Sequence, residues 1–419
     1  MKEINGGVCA PKGFLAGGIH CGIKASSKKR DLALIYSEKP CAAAAMFTTN
    51  KVKAASVLVS REHVADGVLR AVIANSGNAN ACTGEQGLAA ARKMACLAAD
   101  LFAIEPAQVA VASTGVIGVP LPIGVIESNV ESLKKSLKGD EEGHAAALEA
   151  IMTTDVRKKD GAVEIEIDGK VVRIGGMLKG SGMIHPNMAT MLSFITTDAA
   201  ITPEALDSCL RSAVARSFNR VPVDGDTSTN DAIIIMANGE AGNSSINNAG
   251  NPCYEAFAWA LECLCVKLAR AMARDGEGAT KLVTVIVSGA KDESAAEALA
   301  MAVASSSLVK AACFGADANW GRILCAMGYS GADFDPGVVD IAFASEDLRG
   351  KNWEEIVVCR GGVSLASTGA AFSEADARRI LSREEIEIRI KAGLGSGSAT
   401  AWGCDLTYDY VKINGAYRS

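Results

Sequence analysis

The sequence predicts an α+β protein with helices layered on sheets. Three observations carry that expectation. Strand-like and helix-like segments follow one another in mixed order, not as strict strand–helix–strand repeats. The chain is 49% hydrophobic and 21% charged, which is enough apolar material for a sizeable core. Aromatics make up only 5%, while 42 glycines and many alanines suit close packing of helices on sheets and offer no stacking surface for bases. At 419 residues the chain is too long for one simple core, so two or more core layers are expected.

The elements can be read in order. A glycine-rich opening runs to about Arg30. Asp31 to Tyr36, Ser56 to Ser60 and Arg70 to Ala74 are short apolar runs that read as strands. The amide-rich loop Asn75 to Gly84 opens a helix from about Glu85 to Phe102. Val109 to Ser113 is another strand, ending in Thr114-Gly115. Helices follow around Ile126 to Leu137 and up to Met152. Val163 to Asp168 alternates with period two, and Gly169-Lys170 turns it back into Val171 to Ile174, a hairpin. Met191 to Thr197 reads as a buried strand, and Thr202-Pro203 as a helix start. The polar loop Asp224 to Asp231 precedes the strand Ala232 to Met236, and Gly239 to Pro252 is a surface loop. A long helix spans about Tyr254 to Arg274. Then come a strand Leu282 to Val287, one helix Glu293 to Cys313, and a helix beginning in Gly315 to Arg322. The tail holds strands near Val339 to Ala344 and Glu355 to Cys359, a helix near Ser373 to Ser382, and an edge-like strand Glu385 to Lys391.

Composition excludes several classes. The net charge is −6 and no long basic run appears, which argues against nucleic-acid or anionic-membrane partners. The 13 cysteines are scattered and odd in number, and the four histidines lie far apart in sequence. Neither a disulfide framework nor a metal site is therefore expected; reduced, buried thiols in a cytoplasmic protein are. The first residues lack a signal-peptide core, and the longest apolar candidate for a span, Ala256 to Ala273, carries Glu262, Lys267 and Arg270.

The chemistry is expected mid-chain, in Lys179-Gly-Ser-Gly-Met-Ile-His-Pro-Asn-Met-Ala-Thr190-Met-Leu192. Small residues and a Pro186-Asn187 turn signal lead to a threonine, and an apolar run follows. Such a threonine can attack the preceding carbonyl, that of Ala189. Once freed, it holds a hydroxyl nucleophile and an amine base on one residue. By spacing alone the plainer reading, a threonine starting a strand, is the commoner one.

Further motifs change that balance. They are Ala44-Ala-Met-Phe-Thr-Thr-Asn50, Asn75-Ser-Gly-Asn-Ala-Asn80, Ser113-Thr-Gly115, Met152-Thr-Thr-Asp155, Asp224-Gly-Asp-Thr-Ser-Thr-Asn-Asp231, Gly276-Glu-Gly-Ala-Thr-Lys281, Gly315 to Arg322 and Ala401 to Leu406. Together, in this order, they make essentially the whole chain resemble the ornithine acetyltransferase family, the glutamate N-acetyltransferases of arginine biosynthesis. The resemblance implies a layered α+β fold of the self-cleaving N-terminal-nucleophile type. It implies cleavage between Ala189 and Thr190 into an α chain (1–189) and a β chain (190–419), and assembly of two α with two β chains. It also implies ping-pong transfer of acetyl from N2-acetylornithine to glutamate through Thr190, without a cofactor; some members also accept acetyl-CoA.

The family's residues carry over one by one. Thr114 and Gly115 match the oxyanion-hole pair. Lys179 matches the substrate lysine, suited to an α-carboxylate. Thr153, or its neighbour Thr154, matches a hydroxyl contact to substrate, with Thr153 preferred. Glu277 matches a substrate-contacting glutamate, suited to a substrate ammonium or to the new α-amine of Thr190. Asn414 and Ser419 match two further contacts; some members end in Thr, and Ser keeps the hydroxyl. An aminopeptidase-like hydrolase with the same nucleophile, and an uncleaved binding protein, are the competing readings.

Overall fold

A computed structural model describes residues 1–24, 27–185, 191–346, 353–365 and 372–416. The chain divides into two units, 1–219 with 226–268, and 220–225 with 269–419. Neither unit begins or ends at the chain boundary expected at 189/190.

The first unit is built on strands β1 (Lys2–Ile4), β2 (Phe14–Ile19), β3 (Leu32–Phe47), β4 (Val68–Asn78), β5 (Val109–Val116), β6 (Lys159–Ile167), β7 (Lys170–Lys179), β8 (Leu192–Thr197) and β9 (Ala232–Ala237). Among the described residues they form one sheet in the order β1-β6-β7-β8-β9-β3-β4-β5, with β2 beside β3. The β4/β5 and β8/β9 pairs are parallel and the others antiparallel. Period-two alternation sends successive side chains to opposite faces. Ala33 and Ile35 pack with Phe194, Ile234 and the helix Glu141–Ile151. Leu32, Leu34 and Ile73 pack with the helices Gly84–Asp100 and Ile123–Lys135. Helices on both faces give the layers expected of an α+β fold.

One strand expectation fails here. Ser56 to Ser60 lies inside the helix Ala55–His63. The Ser-Val-Leu-Val-Ser run favours a strand locally, but Ser56, Val59, Ser60 and His63 are all buried at helical spacing. Ser60 Oγ also closes two 2.6 Å bonds with the backbone of Val111 in β5, so tertiary contacts override propensity.

The second unit has strands β10 (Leu282–Ala290), β11 (Asp340–Glu346), β12 (Trp353–Arg360), β13 (Val363–Ser364), β14 (Glu385–Lys391) and β15 (Gly397–Cys404), in the order β13-β12-β11-β14-β10-β15. β14 was expected at an edge but lies between β11 and β10. Its Ile386, Ile388 and Ile390 enter the core. Its charges are satisfied laterally instead: Arg389 bonds Glu387 at 2.8 Å and Glu355 at 2.6 Å. The single helix expected over Glu293 to Cys313 is two, Glu293–Ser305 and Ser307–Phe314, bent by 58°. Ser306 makes the break, its side chain accepting from Val309 N–H. Among the described residues no single helix is long and apolar enough to cross a membrane.

Candidate active site

In the first unit the site grows from the C-terminal end of β5. Parallel pairing sets Ser113, Thr114 and Gly115 beside Asn75, Ser76 and Gly77 of β4. Gly115 has φ +134°, and a Cβ there would stand 2.3 Å from the carbonyl carbon of Gly77. Only glycine fits, so the backbone N–H of this residue is presented at a fixed place. Buried amides hold the strand end: Ser113 Oγ donates to Asn75 Oδ1 at 2.7 Å, and Asn230 Nδ2 donates to Ser113 O at 2.8 Å and Ala79 O at 2.6 Å. The amide-rich loops around Asn75 and Asp224 to Asp231 are thus scaffolding for Thr114.

Lys179 ends β7 and is buried, and its Nζ donates to Thr114 Oγ1 at 3.3 Å. The two strands share no ladder, so side chains alone join their ends. The next residue is fixed by Asp155, whose Oδ1 accepts from Gly180 N–H at 2.7 Å and from Lys159 Nζ at 2.6 Å. Its Oδ2 accepts from Thr153 N–H at 2.9 Å. Burial opposes ionisation of Asp155, but the Lys179 and Lys159 charges and these bonds outweigh it and hold the carboxyl well below the usual carboxylate range. One carboxylate thereby places both Thr153 and the Lys179–Gly180 turn. Thr154 Oγ1 bonds Ser181 Oγ at 2.8 Å.

Lys24 is a third cation at this place. Its Nζ donates to Met152 O at 2.7 Å and Arg30 O at 3.0 Å, and its stem lies against Gly77. Burial lowers its pKa to about 8; Asp31 opposes the shift, while Lys29 and Lys179 add to it. Sequence reasoning assigned no role to Lys24, Asp155 or Lys159. Asp155 closes the Met152-Thr-Thr-Asp155 motif, and a carboxylate two residues past Thr153 is the one local signal. The other two have no local pattern.

In the second unit Glu277 is buried and its Oε2 accepts from Asn414 Nδ2 at 2.8 Å. Gly278 has φ +71°, and a Cβ there would lie 2.7 Å from Tyr410 N, so the loop packs directly on the helix Tyr408–Gly415. Thr407 Oγ1 ties the same helix start to Gly278 O at 2.7 Å. Asp405 accepts from Thr280 N–H at 2.8 Å and Lys281 N–H at 2.9 Å. Lys281 Nζ is spent on the carbonyls of Cys313 and Phe314, at a helix end. The structure therefore pairs two of the expected site residues, Glu277 and Asn414, in this unit, and brings Thr114, Gly115, Thr153 and Lys179 together in the other. Ala189, Thr190 and Ser419 lie outside the described residues.

Residues 15–419 match the model of the ArgJ family. The chain belongs to the ArgJ family. It is 53% identical over 420 residues to the arginine biosynthesis bifunctional protein ArgJ of Symbiobacterium thermophilum, covering 100% of both chains. It is 50% identical over 406 residues to ArgJ 1 of Clostridium acetobutylicum, covering 97% of this chain and 96% of that one. Two solved structures are similar. ArgJ from Bacillus halodurans has 43% identity and TM-score 0.48, over 54% of this chain and 98% of that one. Ornithine acetyltransferase from Mycobacterium tuberculosis, complexed with ornithine, has 38% identity and TM-score 0.40, over 46% and 99%. This ArgJ family member is an acetyltransferase of arginine biosynthesis, as the resemblance implied.

Proposed function

We propose that the protein cuts itself between Ala189 and Thr190 and then moves acetyl from N2-acetyl-L-ornithine to L-glutamate by a ping-pong mechanism. The observation that carries this reading is the bond between Lys179 and Thr114. An ammonium has only donors, so Thr114 Oγ1 must accept from Lys179. The hydroxyl's own proton is then left to point elsewhere. Two donors with a cation behind one of them, in a buried setting, suit an oxyanion.

In the cut, Thr190 Oγ attacks the Ala189 carbonyl carbon. The C–N bond breaks, the hydroxyl proton passes to nitrogen, and an ester remains. Water hydrolyses that ester, leaving a carboxylate on Ala189 and a free hydroxyl and α-amine on Thr190. In transfer, the same hydroxyl attacks the acetyl carbonyl of acetylornithine. The amide C–N bond breaks, ornithine's nitrogen takes the proton, and acetyl stays on Thr190 Oγ. The α-amine of glutamate then attacks this ester, and Oγ recovers its proton. Each tetrahedral oxyanion would be held by Thr114 and Gly115.

Lys179 would hold the amino acid's carboxylate and Glu277 its cationic end, with Thr153, Asn414 and Ser419 as further contacts to substrate. The bond from Thr154 to Ser181 supports Thr153 as the hydroxyl on substrate. The relatives' printed name, bifunctional, supports acetyl-CoA as a second donor. No cofactor, metal, nucleic acid or membrane is part of this reading. It places two α and two β chains in the cytoplasm. Intact mass tests it: two fragments should meet at Ala189/Thr190, and a Thr190→Ala chain should stay whole and inactive. Acetate release outpacing acetyl transfer to glutamate would identify a hydrolase instead.

A further inference from the structure

The peptide that leads into Thr153 is held at both ends by charged side chains. Its carbonyl, Met152 O, accepts from Lys24 Nζ at 2.7 Å. Its N–H, that of Thr153, donates to Asp155 Oδ2 at 2.9 Å. A trans peptide is planar, and its C=O and N–H point in opposite directions. An ammonium on one side and a carboxylate on the other therefore fix the plane against rotation. Charge-assisted bonds of this kind are stronger than those between neutral groups.

A buried carboxylate anchors Lys24 in turn. Asp31 accepts N–H groups from Cys21 at 2.6 Å, Gly22 at 3.1 Å and Lys24 itself at 3.0 Å. The Lys24 stem lies against Gly77, where a Cβ would come within 2.9 Å of Lys24 Cγ, and Gly77 pairs with Gly115. The second bond of Lys24 Nζ goes to Arg30 O at 3.0 Å. The ammonium thus ties the Met152–Thr153 peptide to the loop that Asp31 organises. The end of the helix Glu141–Ile151 has its own tie, since Ala150 O accepts from Ser76 Oγ at 2.5 Å. Met152 lies one residue past that helix. Burial also lowers the Lys24 pKa to about 8, and a charge kept where burial opposes it points to use and not to space-filling.

We propose that Lys24 is a positioning residue for substrate binding: with Asp155 it locks the Met152–Thr153 peptide and so sets where the Thr153 hydroxyl meets the substrate. The proposal rests on the reading of Thr153 as a contact to substrate. Lys24 acts through that threonine.

The test uses the full-length chain and a Lys24→Met variant. Methionine keeps the stem against Gly77 and removes the ammonium, so Met152 O loses its donor. KM for acetylornithine should rise about 5- to 20-fold, the scale of one hydrogen bond lost from a bound ligand, with kcat within about threefold of wild type. Lys24→Arg keeps the charge and the donors and should restore most of the binding. Thr153→Ala should raise KM on the same scale. The double variant separates positioning from general loosening. Once the Thr153 hydroxyl is gone, Lys24→Met should add no more than about twofold to KM. If Lys24→Met does not fold, Lys24→Gln carries the same comparison, because its amide donor ends one bond short of the lysine nitrogen. A wild-type KM in the single variant, a loss confined to kcat, or single effects that multiply in full in the double variant overturns the proposal. A wild-type KM in Thr153→Ala overturns the reading of Thr153 instead.

Discussion

Lys179 Nζ donates to the hydroxyl of Thr114 at 3.3 Å, joining the ends of two strands that share no ladder. Since lysine cannot accept, the Thr114 proton points away from Lys179. The contact also places a charge one hydrogen bond behind the hydroxyl proposed for the oxyanion hole. Thr114→Ala should therefore lower kcat by about 10²- to 10³-fold, the scale of losing one such donor, while KM for acetylornithine stays within about twofold. Thr114→Ser should recover most of the rate. Steady-state kinetics decide it, and an Ala variant whose loss lies in KM would remove Thr114 from the oxyanion hole.

Lys179→Met tests the other end of that contact. It removes the cation proposed for the substrate carboxylate, and charge-assisted hydrogen bonds are worth about 1.5–3 kcal/mol. KM for both acetylornithine and glutamate should rise at least about tenfold, with some loss of kcat through Thr114. Lys179→Arg should restore part of the binding. If Lys179→Met binds both substrates as wild type does, the carboxylate is held elsewhere.

How far the site could be read in advance depends on where its information lies. Thr114-Gly115 is legible because the strand–turn change is local and Gly115 has no room for a side chain. The amide-rich loops are legible as motifs, but their role is not, because Asn230 acts on Ser113 from 117 positions away. Ser56 to Ser60 misleads for the same reason: its partner is Val111, and nothing local announces a helix. β14 misleads because charges at alternate positions normally mark an edge. Here Arg389 pairs with Glu387 on the same strand and with Glu355 of β12, across β11, so an interior strand tolerates them.

The Asp155–Lys159 pair gives a pH-dependent stability. Both side chains are fully buried and 2.6 Å apart. Asp155 is held below its unfolded value near 4. A carboxylate lowered in the folded state adds stability that is present above about pH 4. That stability is lost as pH falls through the lower folded value. Lys159→Met leaves the carboxylate without its nearest charge and should cost about 3–5 kcal/mol at neutral pH. Urea unfolding from pH 7 down to pH 3 should show the gap between wild type and variant narrowing as acid protonates Asp155. A gap that is constant with pH would mean the loss is one of packing and not of charge.

Glu277 and Asn414 form the corresponding pair in the second unit, 2.8 Å apart. Their alignment depends on Gly278, where a side chain would run into the backbone of Tyr410. Three variants separate charge from position. Glu277→Gln keeps a hydrogen-bond acceptor for Asn414 and removes the charge, so KM should rise about tenfold or more if the residue meets a substrate ammonium. Asn414→Ala keeps the charge and removes its donor, and should raise KM less. Gly278→Ala combines a left-handed backbone with a backbone clash, and should cost about 1–3 kcal/mol of stability while raising KM through displacement of the C-terminal helix. Kinetics with acetylornithine, alongside thermal unfolding, distinguish the three. An unchanged KM in Glu277→Gln would show that the carboxylate serves only to hold Asn414, and the substrate's cationic end would have to be met by other residues.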